Sequence, residues 1–96
     1  MKSYDSKNIL VIGAARQGLA VSHYLDKHGA KVTLTDARSD SELTDAKQSL
    51  ANTQVHTHFG AHPLELLEGI DLVCVSGGVP LDIPIIREAR KRRIKL

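Results

Sequence analysis

Two hydrophobic periods alternate along this chain. Ile9-Leu10-Val11-Ile12 is a run of apolar residues with no polar interruption. It is too short for a helix and too continuous for a half-exposed strand, so it predicts a parallel strand over Asn8–Ile12 covered on both faces. Beyond the next glycines the period lengthens. Leu19, Ala20, His23, Tyr24 and Lys27 recur at helical spacing with Val21 and Leu25 beside them, which predicts a helix over residues 17–28 and Gly29 as its C-cap. Lys31-Val32-Thr33-Leu34-Thr35 predicts the second strand. Ser39 and Glu42 have the spacing of a capping box, Ser41 is an equally good start, and Leu43, Ala46 and Leu50 form one helical face reaching Ala51.

Residues 54–59 alternate. Val55, Thr57 and Phe59 point one way and His56 and His58 the other, as in a strand near a sheet edge with one wet face. Pro63 suits the first position of a short helix to Leu67. Leu72-Val73-Cys74-Val75-Ser76 predicts a fourth, buried strand. Asp82 can cap a helix that begins near Ile83-Pro84 and runs through Arg93, with Ile85, Ile86 and Ala89 inward. Ile94-Lys95-Leu96 reads as the start of a fifth strand, and the lack of a polar tail suggests a cut at a domain boundary. The expected architecture is α/β and Rossmann-like, a mostly parallel five-stranded sheet with helices on both faces.

Composition narrows the picture without changing it. The 96 residues suffice for one domain with a real core, but are few for a complete enzyme with cofactor and substrate sites. Two tyrosines and one phenylalanine are the only aromatics, so the core must come from Val, Ile, Leu and Ala. A formal charge of +2 implies no polyanionic partner. Arg87, Arg90, Lys91, Arg92, Arg93 and Lys95 cluster at a predicted helix C-terminus, where cations complement the macrodipole. Stacking aromatics are missing there, so nucleic acid is not the expected partner. Cys74, inside an apolar run, reads as a buried small hydrophobe. No apolar segment is long enough to span a membrane, and Met1-Lys2-Ser3-Tyr4-Asp5 lacks the apolar stretch of a leader, so the expected compartment is the cytoplasm.

The chemistry concentrates at strand ends. Gly13-Ala14-Ala15-Arg16-Gln17-Gly18 joins the first strand to the first helix, a turn that leaves unpaired helix N–H groups facing outward, where they attract a phosphate. Gly13 and Gly18 fill the first and last places of G-x-G-x-x-G, but Ala15 fills the middle one. Its methyl group would hold a dinucleotide pyrophosphate off the backbone, while Arg16 and Gln17 add side-chain donors. Asp36 ends the second strand and has two readings: an acceptor for a nucleoside, or a strand-end carboxylate paired with Arg38. The Arg38 guanidinium can stack on a base, meet a phosphate or stay solvated. Ser76-Gly77-Gly78-Val79-Pro80 brings two glycines to the end of the fourth strand, where a backbone can approach a ligand closely. Ligands of such sheets bind at the carboxyl ends of strands, so the loops at 13–18, 36–38 and 76–79 should share one crevice. His56, His58 and His62 raise the question of a metal, but no neighbouring cysteine or carboxylate pattern supports a site.

These segments resemble the N-terminal domain of the bacterial Mur ligases over essentially the whole chain, most closely the branch that adds D-glutamate. The resemblance rests on residues 11–18 and 29–36, on His62-Pro63-Leu64-Glu65-Leu66-Leu67, and on residues 71–80. It implies substrate binding rather than redox chemistry. Ala15, Arg16 and Gln17 would contact the diphosphate of UDP-N-acetylmuramoyl-L-alanine, with Asp36 and Arg38 flanking the uracil or its ribose and the Gly77-Gly78 loop across the base. Gln17 departs from the family's usual Ser or Thr, and Gly77 from its usual Pro, which predicts a looser loop. ATP and Mg²⁺ would serve the other domains of the parent ligase. This chain carries no G-x-x-x-x-G-K-[ST] loop and is expected to be inactive alone. The alternative is an NAD(P)-binding module of a dehydrogenase or a regulator.

Overall fold

The computed structural model describes residues 4–96; Met1, Lys2 and Ser3, part of the start read above for a leader, lie outside the described residues. Four short parallel strands set the frame: β1 (Asn8–Ile12), β2 (Lys31–Asp36), β3 (His56–Phe59) and β4 (Leu72–Val75), in the spatial order β3-β2-β1-β4. β1 takes the centre because both of its faces are apolar. Ile9 stands beside Val32 and Leu72, and Val11 beside Leu34 and Cys74. β3, with its alternating histidines, takes the edge, where His56 and His58 are exposed.

Strand alternation divides the core in two. Ile9, Val11, Val32 and Leu34 face Leu25 of α1 (Arg16–Lys27) and Ala46 of α2 (Thr44–Ser49), together with Leu43 and Leu50. Leu10, Ile12 and Val73 face Leu67, from a 3-10 turn at Leu64–Leu67, and Ile85, Ile86 and Ala89 of α3 (Pro84–Lys91). Each fully buried Leu or Ile contributes about 1.5–3 kcal/mol, so coverage on both faces is what holds this small sheet together. Among the described residues no helix is long and apolar enough to cross a membrane.

Several expectations need correction. The sheet has four strands, not five. Lys95 forms a single parallel bridge with Leu72, with the Val73 N–H donating to the Lys95 carbonyl at 2.8 Å. The residues before it are spent on closing α3: Arg93 adopts φ 59°, and the Ile94 N–H reaches back to the Ala89 carbonyl at 3.0 Å. That six-to-one closure leaves one residue, rather than a run, to pair with β4. The buried face of α1 also differs from the predicted stripe. Gly18, Ser22 and Leu25 are buried, whereas Ala20, Tyr24 and Lys27 are exposed. Small residues mark the face because the helix lies close against the sheet.

β3 starts at His56 because the Gln54 N–H is taken by Asp26 Oδ1 at 3.1 Å and the Val55 N–H by Thr53 Oγ1 at 3.2 Å. Asp82 does not cap α3. Ile83 holds that position without a side-chain bond, and Pro84 opens the helix with no N–H to satisfy. The Glu42 carboxylate does reach back to the Ser39 N–H at 3.1 Å, as the capping-box spacing predicted. Cys74 is half-buried rather than buried, in a shallow hollow of that side of β4 lined by Tyr4 and by Ala20, Val21, Tyr24 and Leu25 of α1.

Candidate functional site

The order of the strands reverses between β1 and β4, and the site forms at their carboxyl ends. β1 leaves the sheet through Gly13, whose φ of 102° suits glycine alone. A Cβ there would also stand 2.8 Å from Val79 Cγ2 and 2.9 Å from Ser76 Cβ. The Gly13 N–H donates to the Thr35 carbonyl at 2.7 Å, and the Ser76 hydroxyl donates to the Gly13 carbonyl at 2.9 Å. The first turn is therefore stitched to β2 on one side and to the loop after β4 on the other.

Helix α1 begins in this setting with its positive end uncovered. Its N-cap, Ala15, offers no side-chain acceptor, and the first turn carries no acidic residue. N–H groups at such an end gain from an anion. Gln17 turns sideways, and its Oε1 accepts the Gly77 N–H at 2.8 Å, which leaves the side-chain amino group as the outward donor. The loop predicted to be looser is thus tied by a compensating bond. The two departures from the family pattern touch each other: a proline at 77 would have no N–H for Gln17, and a Cβ there would sit 2.6 Å from its oxygen.

Asp36 is buried at the tip of β2 and fully engaged. Oδ2 accepts the Ala14 N–H at 2.7 Å and Arg38 Nη2 at 2.9 Å. Oδ1 accepts the Arg38 backbone N–H at 2.8 Å and Arg38 Nε at 3.0 Å. A carboxylate has about four acceptor sites, and all are filled from within the chain. The reading in which Asp36 pairs with Arg38 is the one the geometry realises. The carboxylate holds the glycine turn and aims a half-exposed guanidinium by a two-pronged grip.

Burial raises the Asp36 pKa, but the Arg38 side-chain bonds, the two backbone N–H bonds and the Arg38 charge outweigh it, and the carboxyl falls from 3.8 to about 2. Because the folded value is depressed, the carboxylate contributes stability above the unfolded pKa of 3.8 and loses it as pH falls toward 2. The shift corresponds to about 2 kcal/mol. Acid unfolding followed by circular dichroism is expected to steepen across that window in the parent chain and to flatten there in Asp36→Asn.

These groups line a crevice of about 380 Å³. Gly13 and Ala15 come from the first loop, Asp36 and Arg38 from the second, and Ser76, Gly77 and Gly78 from the third. Gln17 joins them through Gly77, while Gly18 lies behind in a hollow beside Val11 and Cys74. Arg16 is exposed at the start of α1 and does not line the crevice. His62 does line it, a residue weighed in the sequence only as a metal ligand. Its Nδ1 lies 2.9 Å from Thr35 Oγ1, and Thr35 is the register partner of His58 on β3, so His58 is a neighbour of this ring.

A larger depression, about 1220 Å³, opens at the amino ends of the strands around Asn8, Lys31 and Gly29. It faces the negative end of α1 and carries Glu65 and Glu68, an environment that repels phosphate. The smaller crevice is the better anion site.

Solved structures share this fold. Shikimate dehydrogenase from Aquifex aeolicus matches 97% of the chain and 42% of its own at a TM-score of 0.65 and 21% identity. Glutamyl-tRNA reductase from Methanopyrus kandleri matches 98% of the chain and 24% of its own at a TM-score of 0.62 and 22% identity. Sequence relatives are more specific. The UDP-N-acetylmuramoylalanine–D-glutamate ligase of Exiguobacterium sibiricum is 42% identical over 85 residues, covering 88% of this chain and 18% of that protein. The enzyme of the same name from Geotalea daltonii is 42% identical over 89 residues, covering 92% and 20%. The chain thus spans about a fifth of the length of these relatives. The family model for the N-terminal domain of MurD-like Mur ligases matches residues 7–96. With that match and with relatives of this identity, the chain belongs to the MurD-like Mur ligases, as their N-terminal domain.

Proposed function

We propose that the crevice binds the UDP portion of UDP-N-acetylmuramoyl-L-alanine, and that the parent protein is an ATP-dependent ligase, acting in the cytoplasm, that joins D-glutamate to it for peptidoglycan synthesis. The observation that carries this reading is the convergence of an uncapped helix start, an aimed guanidinium and a glycine-rich loop at one end of the sheet. The diphosphate meets the N–H groups of α1 and the Gln17 amide, and Arg16, which stands exposed at the helix start outside the crevice lining, swings in toward it. Arg38, held flat by Asp36, lies along the nucleoside, and the Ser76-Gly77-Gly78 backbone closes the other side. Asp36 contributes by holding its neighbours, since its own acceptor sites are filled.

ATP and Mg²⁺ belong to the rest of the parent chain in this reading. Their chemistry is activation of the substrate carboxylate as an acyl phosphate for attack by the D-glutamate amine. The role of this domain is to hold the far end of the substrate, so that orientation gained here lowers the barrier elsewhere. Alone it is expected to bind and not to catalyse.

The second reading, an NAD(P)-binding module, is favoured by the dehydrogenase fold neighbours. Against it stand the family model over residues 7–96 and relatives named as ligases, and Ala15 replaces the middle glycine of the dinucleotide fingerprint. Titration of the chain with UDP, UDP-N-acetylmuramoyl-L-alanine and NAD separates the two. The uridine compounds are expected to bind at least about tenfold more tightly than NAD, equivalent to about 1.4 kcal/mol. Preference for NAD would overturn the ligase reading.

A further inference from the structure

Thr35 is fully buried, and its hydroxyl has one proton to give. The Ala61 carbonyl, 3.1 Å away, can only accept it. The same oxygen lies 2.9 Å from His62 Nδ1. The assignment that satisfies both contacts at once gives the hydroxyl proton to Ala61 and makes Nδ1 the donor to Thr35, which leaves Nε2 as a lone-pair acceptor. Nε2 has no partner among the described residues, and the ring lines the same crevice as Asp36 and Arg38. Asp36, the residue whose position suggests hydrogen bonding to a nucleoside, has no acceptor site left.

We propose that His62 is a specificity-determining residue: its Nε2 accepts a hydrogen bond from the bound nucleoside, the task that Asp36 has given up to hold Arg38. The inference rests on the nucleotide reading of the crevice. Two donors of a uridine fit the chemistry, the imide N–H of the base and a ribose hydroxyl. If the base is read, uracil is chosen over cytosine, which carries an acceptor where uracil carries the imide N–H. The environment of the ring also favours its neutral form. Burial lowers its pKa, Asp36 opposes that, and His58 adds to the lowering.

Two substitutions divide the functions of the ring. His62→Asn places an amide near Nδ1, keeping a donor for Thr35 while removing the acceptor that faces the crevice. His62→Gln reaches the Nε2 position instead. Calorimetric titration with UDP is expected to show affinity falling about five- to tenfold in His62→Asn and staying within about threefold of the parent in His62→Gln. N3-methyl-UDP and 2′-deoxy-UDP then identify the donor: the parent should lose affinity for one of them, and His62→Asn should not distinguish that compound from UDP.

Imidazole ¹⁵N spectra of the unsubstituted chain provide a test free of folding effects. They should show the proton on Nδ1 and a lone-pair Nε2 signal that moves on adding UDP. The inference is overturned if Nε2 carries the proton, or if His62→Asn binds UDP as tightly as the parent while UDP still binds. It is overturned as well if neither modified nucleotide separates the parent from the variant. Failure of UDP to bind the parent at all would instead remove the nucleotide reading, and this inference with it.

Discussion

Gly18→Ala is expected to destabilise the chain by about 3 kcal/mol, although helix propensity alone would make it stabilising by about 1 kcal/mol. Gly18 lies in the first turn of α1. A Cβ there would overlap the Gly13 carbonyl oxygen and stand 2.6 Å from the Ser76 hydroxyl. A carbonyl inside a turn bonded to both β2 and the loop after β4 has little room to give. The helix would have to lift from the sheet, loosening the Leu25 contacts in the core and moving its N–H groups away from the crevice. Urea unfolding of the two chains measures the difference. A variant as stable as the parent would show that the close approach of α1 is not needed.

Asp36→Ala is expected to cost about 2–3 kcal/mol and to weaken UDP binding at least about tenfold. Truncation leaves the buried Ala14 N–H without its acceptor and releases Arg38 into solvent. The loss is smaller than for a wholly buried ion pair because the guanidinium is half-exposed and can be rehydrated. Asp36→Asn should fall between, since an amide oxygen can still accept from Ala14 but grips Arg38 poorly. Unfolding free energies and UDP titration read the two effects separately. Unchanged UDP affinity in Asp36→Ala would remove Asp36 and its hold on Arg38 from the site.

The strands were legible because burial on both faces leaves an unbroken apolar run, as in Ile9-Leu10-Val11-Ile12, and an edge leaves alternation, as at His56 and His58. The buried face of α1 was not, because large apolar residues are the usual signal and this face is marked by Gly18 and Ser22. The fifth strand was overread because Ile94 has strand character in sequence but serves the closure of α3. At the site, the convergence of three loops followed from the rule that ligands sit at strand carboxyl ends. The use of each side chain did not. Three of the bonds that fill Asp36 come from Arg38 two residues on, but the one from Ala14 spans 22 positions and the tie from Gln17 to Gly77 spans 60, so those two depend on the fold. His62 escaped because its meaning comes from Thr35, far from it in sequence and buried beneath it.

Backbone amide NMR of the ¹⁵N-labelled chain during a UDP titration tests the central claim most directly. The account predicts saturable shifts concentrated at residues 13–18, 36–38, 62 and 76–79, around the crevice at the carboxyl ends of β1 and β4. Shifts clustered instead at residues 29–33, 52–54 and 65–70, around the larger depression at the opposite end of the strands, would contradict it.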